Sequence, residues 1–113
     1  MPASIVYSPR AIGDLEDIRA FLAVDCGNPR AAERAVQDIL DRVDSLADLP
    51  EIGTPLDSRC IVHSDYRFVL SSNYLAFYRY ENDSVFIDRV LDSRSDYLRK
   101  LFGTGESGID LYL

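Results

Sequence analysis

The strongest constraint on this chain is a change of hydrophobic period at Leu49-Pro50-Glu51-Ile52-Gly53-Thr54-Pro55, whose two prolines and glycine cannot continue a helix. Before this segment apolar residues recur every three or four positions, and after it the period is about two. A helical first half and a sheet-forming second half define an α+β domain. The chain opens with Ser4-Ile5-Val6-Tyr7, a β-branched and aromatic run that reads as a strand, and Ser8-Pro9 then supplies a hydroxyl cap and a proline at the first helical position. Ile12, Leu15, Ile18 and Leu22 mark the apolar stripe of a helix over about residues 9–25, with Asp14, Glu16 and Asp17 on its other side near the positive end of the dipole. Gly27 suits a left-handed helix end, and Asn28-Pro29 repeats the cap-and-proline signal. In the second helix Ala32, Val36, Ile39, Val43 and Leu46 form a seam fitted to lie antiparallel on the first.

Beyond Pro55, strands are expected near residues 59–63, 66–71, 74–80 and 85–91, joined by polar turns at Ser72-Asn73 and Asn82-Asp83. This is an antiparallel β-meander on which the N-terminal strand and helical hairpin pack. The last two strands are largely apolar on both faces, which suits helices on one side and a partner or groove on the other. Ser95 to Phe102 adds a turn or two of helix, so the domain is expected to span 1–102, with 103–113 a flexible C-terminal tail.

With 113 residues and 47% apolar content, the chain can build a core without metal or disulfide staples. Cys26 and Cys60 lack the close spacing of a zinc site and read as ordinary buried or part-buried residues. No apolar run reaches the length of a membrane span, and Met1 to Ser8 does not resemble a secretion signal, so a cytoplasmic protein is expected. The net charge of −7 argues against gripping nucleic acid by bulk charge. Residues 10–51 hold ten Asp or Glu against five Arg, so the helical side is expected to be negative and the sheet side close to neutral.

Three stretches carry a family resemblance: Asn28-Pro29-Arg30-Ala31-Ala32, Leu46-Ala47-Asp48-Leu49-Pro50-Glu51-Ile52-Gly53, and Tyr74 to Tyr80 running on to Arg89-Val90-Leu91-Asp92-Ser93-Arg94-Ser95-Asp96-Tyr97. In this order and at these separations they resemble the RelE/ParE superfamily of type II toxin–antitoxin toxins over residues 4–102, closest to the ParE branch. The resemblance implies a toxin held inactive by a cognate antitoxin, with no cofactor and no metal. It further implies either poisoning of DNA gyrase, as in ParE-like members, or ribosome-dependent mRNA cleavage, as in RelE-like ones. A degenerate, non-toxic antitoxin binder is the third alternative. On this reading the antitoxin presents basic residues to the helices and apolar residues to the sheet.

Metal-free RNA cleavage needs a base, an acid and clustered cations to hold the phosphate. By resemblance Arg67 matches one basic position of the RNA-cutting branch, and Arg94 with Tyr97 roughly matches its terminal basic and aromatic pair. Leu75 and Val69 stand where that branch carries basic residues, and Lys100 is the only lysine. The ParE branch commonly carries a Val-Leu-His-x-Arg-Arg-Asp run; here Asp92 replaces the histidine and Ser95 one arginine, leaving Arg94. The expected mode is therefore ParE-like binding of a protein target, with catalytic residues unassigned.

The candidate functional surface is Arg67, Arg79, Arg89, Arg94 and Tyr97. A two-residue turn at Asn82-Asp83 sets Glu81 opposite Ser84, Arg79 opposite Phe86 and Arg89 opposite Ala76, so Arg79 and Arg89 face opposite ways. A two-residue turn at Ser72-Asn73 puts Arg67 on the side of Arg89, and a longer loop puts it with Arg79. Against a cationic patch stands the plainer reading of arginines in cross-strand pairs with Asp65, Glu81 and Asp88, and of Arg94 in a salt bridge with Asp92 or Asp96. His63 shares a strand face with Asp65 and Arg67 only if that strand runs unbroken. Tyr66, Tyr74, Tyr78 and Tyr80 suit base stacking, but with few cations beside them packing is the expected use.

Overall fold

The computed structural model describes residues 2–58 and 64–102. Strand β1 (Ser4–Tyr7) leads into helix α1 (Pro9–Ala20), which continues as a π-helical turn over Phe21–Asp25. Helix α2 (Pro29–Asp44) ends in a 3₁₀ turn at Ser45–Ala47. Then come β2 (Thr54–Pro55), a 3₁₀ turn at Leu56–Ser58, β3 (Arg67–Ser71), β4 (Tyr74–Glu81), β5 (Ser84–Asp92) and α3 (Tyr97–Phe102). The sheet order is β1-β5-β4-β3-β2.

The caps act as the sequence indicates. The Ser8 hydroxyl accepts the Ala11 N–H at 3.0 Å and the Asn28 side chain accepts the Ala31 N–H at 3.1 Å, each satisfying a donor that the helix cannot. Gly27 adopts φ +64°, which a side chain would strain. Asn82 and Asp83 both have positive φ, as a type I′ hairpin turn requires.

The sheet is mixed rather than a pure meander. Strands β2 to β5 are antiparallel neighbours, but β1 pairs parallel to β5 at the edge, with Val6 against Phe86. The two-residue β2, pairing Thr54 with Phe68, was not anticipated. The strand expected at 59–63, with Cys60 and His63, and the tail 103–113 lie outside the described residues. Cys26 follows the π-helical turn and is exposed, not buried as expected, because the chain leaves the hairpin seam there.

The hairpin turn fixes Glu81 opposite Ser84 and Arg79 opposite Phe86, as derived from its length. Arg89, however, pairs with Phe77 and not with Ala76, because the register steps between Tyr78↔Ile87 and Phe77↔Arg89. Asp88 is the extra residue of this β-bulge, and it breaks the alternation on which the expectation rested.

One sheet face packs on α1 and α2 through a core of Ala11, Ile39, Val43, Leu46, Tyr78 and Ile87 and their neighbours. On the other face α3 lays Leu98 and Tyr97 against Leu75, Phe77 and Leu91. Among the described residues, the far face is therefore covered at one end by α3 and carries no helical layer at the other.

Candidate functional site

The five residues of the expected surface have different fates. Arg67 stands opposite Tyr78, and its Nη1 donates to the carbonyls of Glu51 at 3.1 Å and Gly53 at 2.9 Å. The buried Tyr78 hydroxyl donates to the Pro50 carbonyl at 2.8 Å and accepts the Gly53 N–H at 2.9 Å. Arg67 and Tyr78 together fix the loop that ends the helical half. Helix α2 and its 3₁₀ turn have ended by Ala47, before Pro50 and Gly53, and residues of β3 and β4 satisfy the polar groups of the loop that follows.

Arg89 forks onto Asp14 of α1, with Nε to Oδ2 at 2.8 Å and Nη2 to Oδ1 at 2.9 Å, while Nη1 donates to the Lys100 carbonyl of α3 at 3.1 Å. Asp14 also accepts the Val90 N–H at 2.9 Å. The Asp14 hydrogen bonds raise the Arg89 pKa above its ordinary value, against a smaller opposing effect of burial. The sequence pattern placed Asp14 on the solvent side of α1, but it is buried. No local signal marks it, since its partner lies 75 residues away.

Arg94 forks onto Asp92, with Nε to Oδ1 at 3.0 Å and Nη2 to Oδ2 at 2.8 Å, and its own N–H donates to Asp92 Oδ1. These bonds hold the Asp92 carboxyl below its usual pKa. Tyr97 stacks on Phe77 with centroids 5.5 Å apart and belongs to the α3 packing. Arg79 is the exception. Its guanidinium carbon lies 5.5 Å from the Tyr66 ring centroid, and it makes no ion pair with a described residue.

The Tyr66 hydroxyl donates to Asp88 Oδ2. Burial first, and then this bond, push the Tyr66 pKa up to about 12, so at neutral pH the phenol is a donor and not a base. Phosphate chemistry calls for several cations around one point. Instead, Arg67, Arg89 and Arg94 bind in separate places to a loop, to α1 and to the end of β5. Among the described residues no group of three or more His, Cys, Asp or Glu is placed to hold a metal. No described helix is long and apolar enough to cross a membrane.

Two open depressions are lined mainly by apolar side chains. One, of about 310 Å³, lies between β3, β4 and α3 and is lined by Phe68, Leu70, Leu75, Ser93 and Tyr97. The other, of about 420 Å³, lies between the two hairpin helices, where Ile12, Leu15, Val36 and Leu40 are edged by Glu16 and Arg19. Leu70 and Ile12 are about half exposed.

This architecture is that of known toxin–antitoxin structures. A chain of the chromosomal ParDE toxin–antitoxin system from P. aeruginosa is similar with a TM-score of 0.67 and 25% identity, over 80% of this chain and 95% of that one. A chain of the RelBE2 toxin–antitoxin complex from Mycobacterium tuberculosis shares the fold with a TM-score of 0.60 at 17% identity, over 81% of this chain and 99% of that one. No curated protein sequence matches. The family described as the ParE toxin of the type II toxin–antitoxin system parDE matches residues 5–97, and this chain belongs to it.

Proposed function

We propose that this chain is the toxin of a type II pair that arrests growth in the cytoplasm by binding a protein target, DNA gyrase in the reading that the resemblance implies. A cognate antitoxin neutralises it by covering the apolar depressions beside α3 and between the hairpin helices. The observation that carries a binding mode over RNA cleavage is the dispersal of the arginines. Three of the four candidate guanidiniums are held by separate internal partners, and Tyr66 is no base at neutral pH. An antitoxin partner is supported by membership of the family and by the similar ParDE structure.

The test is induction of the chain in cells, with and without the product of an adjacent antitoxin gene, followed by two assays on purified components. Inhibition of plasmid supercoiling by gyrase, with transcripts left intact, is the expected result. Transcript cleavage on ribosomes moves the assignment to an mRNA endonuclease. Antitoxin binding without any effect on growth leaves the degenerate alternative.

A further inference from the structure

Beyond α3, the far sheet face carries a row of side chains that no helix among the described residues covers. The register sets Val6 of β1 beside Phe86 of β5, and Phe86 beside Arg79 of β4, so the three share one face. Tyr66 precedes Arg67, which pairs with Tyr78, so its ring falls next to Arg79 and under its guanidinium. Val6 is 43% and Phe86 38% exposed. Helix α3 packs on the opposite end of this face, over Leu75, Phe77 and Leu91, and no other described helix lies on the row.

Arg79 sits in this row unlike any other candidate arginine. Its Nε is shut off from solvent and has no hydrogen-bond acceptor. Asp88, on the same strand as Phe86 and two residues further on, accepts from Tyr66 instead. A desolvated donor without a partner leaves this guanidinium short of acceptors, and because Arg79 as a whole is only part-buried, its terminal nitrogens, not the enclosed Nε, are where an acceptor from outside meets it. The planar guanidinium fork is matched by a carboxylate, which accepts two parallel N–H bonds.

We infer that the row Val6, Phe86, Arg79 and Tyr66 is a docking site for an extended peptide segment of a partner protein, with an Asp or Glu carboxylate on Arg79 and an apolar side chain over Phe86 and Val6. Charge complementarity selects this occupant. The row holds one unpaired cation, and residues 64–102 are balanced at six acidic against six basic groups, while the hairpin side is acidic. A single anionic group with apolar neighbours fits that surface, whereas a polyanionic strand meets one cation, the Asp88 carboxylate and a chain of net charge −7. Neighbouring strands are about 4.8 Å apart, and alternate residues of an extended peptide are about 7 Å apart on one face, so residues i and i+2 bridge Arg79 and the Phe86–Val6 pair. The inference rests on the reading that this toxin works through protein partners.

The experiment pans a random heptapeptide library on the full chain, with counter-selection on the Arg79→Gln variant, whose fold is checked by circular dichroism. Labelled selected peptides are then measured by fluorescence anisotropy. The expected motif is an acidic residue two positions from an apolar one. Its affinity falls about tenfold or more, equivalent to about 1.4 kcal/mol, when Arg79 becomes Gln or the peptide carboxylate becomes its amide. Phe86→Ala is expected to weaken binding as well. Arg79→Lys keeps the charge but loses the fork, and it carries the test if the Gln variant misfolds, with several-fold weakening expected. Three results each overturn the inference: no enrichment over the counter-selected variant, equal binding of the amide peptide, or a hexauridylate probe that displaces the peptide and binds more tightly. Any of them leaves the growth and supercoiling assays unaffected, so failure here is distinguishable from failure of the proposed function.

Discussion

Asp14→Ala is expected to be among the most damaging single substitutions available on α1. Asp14 and Arg89 side chains are only 10% and 16% exposed, and three hydrogen bonds of 2.8 to 2.9 Å converge on the carboxylate, two from Arg89 and one from the Val90 N–H. Truncation leaves a largely buried guanidinium without its anion and a strand N–H without an acceptor. Breaking a buried, hydrogen-bonded pair costs about 3–5 kcal/mol, and the residual access of Arg89 to water argues for the lower half of that range. For a domain of this size each kcal/mol moves the thermal midpoint by about 4 °C, so a fall of about 12–16 °C is expected. Asp14→Asn keeps the shape and one acceptor and should cost less, about 2 kcal/mol. Urea unfolding followed by circular dichroism measures each value, and a double-mutant cycle with Arg89→Ala isolates the coupling. Asp14→Leu with Arg89→Met should recover part of the loss, because the damage comes from the stranded charge and not from the missing ion pair as such. A cost below about 1 kcal/mol for Asp14→Ala, or strictly additive single variants, would refute the reasoning.

The loop that separates the two halves of the chain gives a second prediction. Tyr78→Phe strands the Gly53 N–H and the Pro50 carbonyl, costing about 1–3 kcal/mol. Gly53→Ala puts a methyl group 2.6 Å from Tyr78 Cε1, costing a similar amount by overpacking. The two act through one contact, so urea unfolding of the double variant should show less than the sum. At alkaline pH, Tyr7 and Tyr66 both titrate at about 12 against an ordinary 10.0, raised chiefly by burial, then by Asp44 for Tyr7 and by Asp88 for Tyr66. A folded-state pKa above the unfolded one gives stability that is complete below pH 10 and is lost as pH rises through about 12. Burial raises Tyr74, Tyr78 and Tyr80 as well, so phenolate absorbance should show a titration delayed past the ordinary tyrosine range, with one of its late-titrating groups removed by Tyr66→Phe. Arg94→Ala should leave the thermal midpoint within replicate error at neutral pH, because Arg94 is 73% exposed. The Asp92 carboxyl, held below its usual pKa by Arg94, should titrate higher in that variant as measured by NMR, since its hydrogen-bonding cation is gone.

The legible features are those whose cause is local. Ser8-Pro9, Gly27, Asn28-Pro29 and the Asn82-Asp83 turn each act through neighbours a few residues away, and the α2 seam repeats with the helix itself. The hairpin turn carried the register correctly as far as Arg79 and Phe86. It failed at Arg89, past the bulge at Asp88, which lies where the pairing of β5 with β1, from the other end of the chain, stops at Ile87. The same distance hid Asp14, whose spacing on α1 is that of an ordinary solvated acid. Tyr97 and Arg94 were legible as neighbours in sequence, but not as a stacking residue on Phe77 and a clasp on Asp92. Whether a guanidinium faces a partner or holds a loop is decided by tertiary contacts that residue type does not encode.

The arginines are dispersed because the mixed sheet needs them where they are. Strand β1 ends at Tyr7, since Pro9 has no N–H to extend the ladder, yet β5 runs on for five more residues. Side chains and backbone at the start of α1 take over the edge that β1 vacates. The Ser8 N–H donates to the Ile87 carbonyl at 2.9 Å, the Ser8 hydroxyl donates to the Asp88 carbonyl at 2.7 Å, and Asp14 accepts the Val90 N–H. A carboxylate carried into that interior requires a cation, and Arg89, turned by the bulge, supplies it. Arg67 answers to the loop carbonyls for a similar reason. These positions are therefore poor sources of a phosphate-binding cluster, because withdrawing Arg89 leaves the buried Asp14 carboxylate without its cation and withdrawing Arg67 leaves the part-buried Gly53 carbonyl without its donor. Arg79 has no such internal duty among the described residues. Its replacement should disturb recognition more than stability, the reverse of what Asp14 and Arg89 should show.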